Sequence, residues 1–180
     1  MKRTLHALTV IGLLTTGPAS AQRYLTEQFS AVDVLSNVEY GQNFSVLTGT
    51  PVLQPLVMDV YTPQGDTQTD RPLIVYIHTG SFLPRYINNL PTGNKTDSAT
   101  VEMCRQFAKK GYVVAAISYR TGWSPASPSE MTRKQTIIQA VYRSMQDAKT
   151  AVRFMRKSIT EGNPYGISNE KVVIGGQGSG

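Results

Sequence analysis

Lys171-Val-Val-Ile-Gly-Gly-Gln-Gly-Ser-Gly180 is a short apolar run delivered straight into a cluster of glycines, and its reading decides how the other segments are arranged. Apolar, β-branched residues that end in glycine read as a strand breaking into a tight turn. Two chemistries use such a turn. A strand-to-helix turn of pattern G-x-S-x-G lifts a nucleophilic serine above a sheet edge. A dinucleotide-binding turn uses its glycines to let the backbone approach a pyrophosphate at a helix N-terminus. Both need positive φ and close backbone approach, so glycine content leaves the choice open.

Working outward, Ile137, Val141, Met145, Ala148, Val152, Met155 and Ile159 recur at steps of three and four. This spacing predicts one apolar stripe of a long helix, ended by Glu161-Gly-Asn-Pro-Tyr-Gly166. Lys149, Arg153, Arg156 and Lys157 lie off the stripe and read as a solvated face. The loop Thr121–Pro128 holds the only tryptophan, Trp123, whose place is under the loop or in a pocket wall, packing being the simpler reading. Tyr112–Ile117 and Leu73–Ile77 are uniformly apolar, as strands covered on both faces are. Between them lie His78-Thr-Gly-Ser-Phe82, a segment through Thr96 rich in Pro, Asn and Gly, and a helix. That helix is capped by Asp97 or Ser98, carries Val101, Cys104, Phe107 and Ala108 inward, and stops at Gly111. Strand, helix and second strand in that order predict a right-handed βαβ crossover. Leu56, Met58 and Val60 alternate with Val57, Asp59 and Tyr61, and with Val38-Glu-Tyr40 these first strands read as an antiparallel edge.

Residues 1–21 read as an export signal: Lys2-Arg3, the apolar run Leu5–Leu14, and the small-residue site Ala19-Ser20-Ala21, with the cut before Gln22. About ten apolar residues fall short of the roughly 20 that span a bilayer. The expectation is a periplasmic or extracellular protein with no stable membrane anchor after cleavage. Cys104 is the only cysteine, so no intrachain disulfide forms and stability must come from a core. The formal charge of +6 falls to +4 when Lys2 and Arg3 leave, with no basic block, which argues against a nucleic-acid partner. No metal-ligand spacing occurs.

Strand, strand, strand, H-x-G loop, helix, strand, long helix, strand and glycine turn, in that order, resemble the first half of the α/β-hydrolase fold, especially its secreted carboxylesterase-like branch. The segments that carry the resemblance are Leu73–Phe82, Gly111–Arg120, Asp147–Phe154 and Tyr165–Gly176, within a span from Val57 to Gly180. With the signal peptide read over 1–21, it implies that 22–180 are the N-terminal portion of an α/β-hydrolase domain. That portion is a mostly parallel sheet with an antiparallel N-terminal edge and helices on both faces. The implied chemistry is hydrolysis of carboxylic esters, acyl groups on carbohydrate among them, with no cofactor and no metal. Acyl transfer builds negative charge on the carbonyl oxygen, so N–H groups must already be aimed at it. By the resemblance, the amides of Gly80 and Ser81, with that of Ser179, form this oxyanion hole. His78 braces the loop and is not the base, and Gly176 and Gly180 scaffold the elbow. Thr79 stands where the family has glycine.

The elbow departs from the pattern. Gly176-Gln-Gly-Ser-Gly180 laid on G-x-S-x-G puts Gly178 at the nucleophile position, and glycine has no group that attacks a carbonyl. Ser179 comes one position late, a slip that turns its side chain away from the groove unless the turn is remodelled. The triad's carboxylate and histidine follow the nucleophile in this fold. The expectation is therefore a fragment of a longer exported ester hydrolase, itself inactive, with a small-molecule ester or acylated carbohydrate as ligand. Two alternatives stand beside it: a non-catalytic relative that keeps the pocket for binding, and a dinucleotide-binding protein using the terminal turn.

Overall fold

Every residue of Val113–Ile117 is buried, which places this strand in the middle of a covered sheet. The computed structural model describes residues 23–45 and 50–180. The export signal and its cut before Gln22 lie outside the described residues. The elements are β1 (Val32–Ser45), β2 (Val52–Pro63), β3 (Arg71–Ile77), α1 (Arg85–Asn88), α2 (Ser98–Lys109), β4 (Val113–Ile117), α3 (Glu130–Thr160) and β5 (Ile167–Gly176). They form one five-stranded sheet in the order β1-β2-β4-β3-β5. β1 and β2 pair antiparallel, as does β2 with β4, while β3 runs parallel to both β4 and β5. The antiparallel edge and the parallel centre match the sequence reading.

Side chains alternate across this sheet, and each face has its own core. Leu73, Val75, Val113, Ala115 and Ile117 join Leu56, Met58 and Val60 against Ala148, Ala151 and Met155 of α3. Ile74, Tyr76, Val114 and Ala116 join Tyr61 against Cys104 and Ala108 of α2. The helix after β3 crosses one face and the helix after β4 the other, and because β3 and β4 run parallel, both loops that follow these strands open at the same rim.

The inner face of α3 differs from the expected stripe. Ala140, Ser144, Asp147, Ala148, Ala151, Met155 and Ser158 are buried, whereas Val141 and Met145 are 36% and 51% exposed. Only Ala148 and Met155 belong to both sets. Small residues let the helix lie close on the sheet, and a buried ion pair fixes its rotation. Arg120, just past β4, donates from Nε and Nη2 to Asp147 at 3.0 and 2.8 Å, and its backbone N–H donates to the same carboxylate at 2.8 Å. Asp147 is fully buried, so its charge is stable only because three donors surround it. The same guanidinium reaches the Phe44 carbonyl at 3.3 Å, tying β1, β4 and α3 together at one end of the sheet.

Candidate functional site

Ile77 and Gly176 are register partners on the parallel pair β3 and β5, and the Gln177 N–H donates to the Ile77 carbonyl at 3.3 Å. The two chains then leave the sheet side by side. The His78 loop and the glycine turn therefore meet at the carboxyl ends of neighbouring strands, where open α/β sheets hold their ligands.

The His78 loop is strained and tightly held. Gly80 has φ 135°, and Ser81 and Phe82 both lie in the left-handed region at 54° and 55°. Non-glycine residues reach that region rarely and at a cost, so two in succession need outside support. Asn88 supplies part of it, its side-chain amide donating to the carbonyls of Gly80, Leu83 and Thr92 at 3.2, 3.3 and 2.9 Å. Gly80 also lies against Gly93: a Cβ at position 80 would stand 2.5 Å from the Gly93 Cα. Asp97 locks that second segment by accepting from the Gly93 and Asn94 N–H groups at 2.7 and 3.0 Å. On the outer side the Trp123 indole N–H donates to the Ser81 carbonyl at 2.8 Å, and the Gly122 N–H to the Phe82 carbonyl at 2.6 Å.

His78 is buried at the root of this loop. Its Nδ1 lies 2.6 Å from the Thr79 carbonyl, which can only accept, so that nitrogen carries the proton. The ring stacks on Tyr119 with centroids 4.4 Å apart, and the Tyr119 hydroxyl donates to the His78 carbonyl at 3.0 Å. Burial holds the imidazole below its ordinary range and pushes the Tyr119 phenol up to about 12. Both groups are neutral at physiological pH.

The glycine turn has the backbone of an elbow without its side chain. Gly178 takes φ 60°, the left-handed value that a sharp strand-to-helix turn imposes on the residue at its tip. A Cβ built there would fall 3.1 Å from the Thr79 Cβ and inside any permissible distance from the Thr79 Oγ1. In its present rotamer the Thr79 side chain thus takes the space where a side chain at 178 would begin. Gly176 and Gly180 are equally constrained, since a Cβ on either would collide with the backbone at Ile77.

Ser179 corrects the expectation that its side chain turns away. Its Oγ accepts from the Ser81 N–H at 2.9 Å, bridging the turn to the oxyanion loop, and the Tyr119 hydroxyl lies beside it. With no side chain at 178, the turn swings the next residue inward. Of the three expected oxyanion donors, the Ser81 amide is thus engaged by a serine hydroxyl. The Gly80 and Ser179 amides donate to no other protein group among the described residues. A cavity of 330 Å³ opens beside Ser179, with walls from Ile77, Phe82, Met145 and Ile174.

Three contributors escaped the sequence reading: Asn88 and Tyr119, which hold the loop, and the Arg120–Asp147 pair, which orients α3 beneath it. Asp147 and Arg120 sit in two of the quoted segments, and a carboxylate among apolar residues of a helix was the available signal. Among the described residues no cluster of three or more His, Cys, Asp or Glu could hold a metal ion, and no helix is long and apolar enough to cross a membrane.

Comparison with known proteins adds a family and a fold. The family model described as BD-FAE matches residues 58–180. Among solved structures, esterase B from Lactobacillus Rhamnosis superposes with a TM-score of 0.53 at 19% identity, over 88% of this chain and 39% of that one. An esterase from Pyrobaculum calidifontis superposes with a TM-score of 0.50 at 21% identity, over 86% and 37%. The chain thus spans well under half the length of the esterases it matches. A search of curated proteins returned no match.

Proposed function

The chain belongs to the BD-FAE family and has the α/β-hydrolase fold, and on that premise we propose that it forms the oxyanion-loop and elbow part of an exported protein that binds carboxylic esters, acylated carbohydrates among them, without cleaving them from the elbow position. One observation carries this reading: Gly178 adopts elbow geometry while Thr79 closes the space a nucleophile would need. Hydrolysis by this fold begins with attack by a side-chain oxygen at the elbow, and position 178 has none. The rest of the cradle is suited to an ester carbonyl. The amides of Gly80 and Ser179 sit on a rigid loop and turn beside an apolar cavity, and such preset donors bind a polarised oxygen without reorganising. Residues 1–21, with their basic start and small-residue cut site, support export, and the scattered charge of the mature chain supports a small ligand over nucleic acid.

Titration of the full-length protein with an acetylated oligosaccharide, followed by NMR of both partners, tests the reading. Saturable binding with no release of acetate is the expected result. Release of acetate, or no binding at millimolar ligand, would overturn it.

A second reading has its own observation. The Ser179 Oγ faces the oxyanion loop 2.9 Å from the Ser81 N–H, so a hydroxyl is present in the cradle although one residue late. In that reading Ser179 is the nucleophile, and its replacement by alanine abolishes hydrolysis. The family match across residues 58–180 favours either ester reading over use of the glycine turn for a dinucleotide.

A further inference from the structure

A second cavity, of 240 Å³, lies on the outer side of the oxyanion loop, walled by Trp123, Ser124, Gln139 and Arg143 with Ile87 at its rim. Its polar groups are short of partners. The Arg143 Nη2 donates to the Gly122 carbonyl at 2.5 Å, while its Nε is enclosed with no acceptor. Arg143 forms no ion pair among the described residues. Asp147, the carboxylate that acts on it, is committed to Arg120, and Glu130 at the start of α3 is paired with Lys134. Burial and the neighbouring Arg120 push the Arg143 pKa down, against a smaller upward pull from Asp147. The Gln139 side-chain amide and the Ser124 hydroxyl likewise make no hydrogen bond to protein among the described residues. The indole of Trp123 provides an apolar plate beside them, held in place by its bond to Ser81.

We infer that this cavity is a subsite for a carboxylate-bearing sugar, a uronic acid unit, whose carboxylate meets Arg143 while its apolar ring face covers Trp123. A guanidinium binds a carboxylate through charge-assisted hydrogen bonds of fixed geometry, stronger than those a neutral hydroxyl can offer. Gln139 and Ser124 are placed to bond ring hydroxyls, giving the mix of apolar wall and few polar groups that small-ligand sites show. Because Trp123 holds the Ser81 carbonyl, a sugar here would lie next to the ester cradle, so the acylated saccharide of the proposed function would be an acidic one. The inference rests on that reading for the ester, but the carboxylate preference can be measured alone.

Binding of D-glucuronate and of D-glucose to the full-length protein, compared by saturation-transfer NMR at fixed ionic strength, is the test. Glucuronate is expected to bind at least about tenfold more tightly, and Arg143→Gln to erase the difference. Gln139→Glu sets a negative charge at the mouth from an exposed helix position, where it leaves the fold intact, and is expected to erase the preference too. Equal affinity for the two sugars, no binding of glucuronate, or a preference kept in Gln139→Glu would overturn the proposal. Free glucuronate carries no ester, and the titration with the acetylated oligosaccharide is scored by acetate release as well as binding, so failure of one experiment is distinguishable from failure of the other.

Discussion

Thr79 Oγ1 stands where a side chain on Gly178 would begin. These are the two positions at which the chain departs from the carboxylesterase pattern: threonine for glycine in the loop, glycine for serine in the turn. The structure shows the departures to be one event in space. Thr79 occupies the volume that Gly178 vacates, so restoring serine at 178 alone sets two side chains in the same place, and restoring glycine at 79 alone leaves that place empty.

Gly178→Ser is therefore expected to destabilise the protein. Overpacking costs about 1–3 kcal/mol, and a left-handed φ on a residue with a Cβ adds roughly 1–2 kcal/mol. At about 2–4 °C per kcal/mol for a domain of this size, Tm should fall by about 5–15 °C. Combining it with Thr79→Gly removes the collision and should return part of that loss, read by thermal melting of both variants.

Asp147 is the anchor of α3, and removing it strands the Arg120 guanidinium in the interior. Asp147→Ala should cost about 3–5 kcal/mol in urea denaturation. Arg120→Met with Asp147→Ala should cost less than the two single losses together, because neither charge is then left alone.

His78 gives a pH signature. Its folded pKa lies below the ordinary 6.5 because burial opposes the imidazolium. Above that value both folded and unfolded histidine are neutral, and the full stability is present. As pH falls through about 6.5 the unfolded chain takes up a proton that the folded chain refuses, so stability declines until the folded value is passed. Denaturant midpoints measured across about pH 7.5 to 5 should fall in the wild type. His78→Gln should be less stable throughout and should lack that histidine's share of the slope.

Much of the architecture was legible because strands covered on both faces announce themselves as unbroken apolar runs. Leu73–Ile77 and Tyr112–Ile117 could be little else, and a helix between them settles their direction. The long helix was legible in extent but not in rotation. Periodicity weighs large apolar residues such as Val141 and Met145, whereas the sheet selected Ala140, Ser144 and Ala151 for closeness and Asp147 for its bond to Arg120. At the site, the position of Gly178 could be read from the motif. The inward turn of Ser179 could not, because it depends on the missing Cβ at 178 and on the Ser81 amide, 98 residues earlier in the chain. The partnership of Thr79 and Gly178 was hidden for the same reason.

Ser179→Ala separates the two ester readings at small structural cost. It removes one hydrogen bond to the Ser81 N–H, worth about 0.5–1.5 kcal/mol, and frees that amide for a ligand oxygen. In the binding reading, affinity for an ester is kept or improved by the substitution.

The most direct measurement is incubation of the full-length protein with a chromogenic short-chain ester and, separately, with a fluorophosphonate, followed by peptide mass spectrometry of residues 171–180. A site built around an empty elbow should give no turnover above buffer and no adduct. Ester turnover that disappears in Ser179→Ala, with the phosphonate found on Ser179, would contradict it.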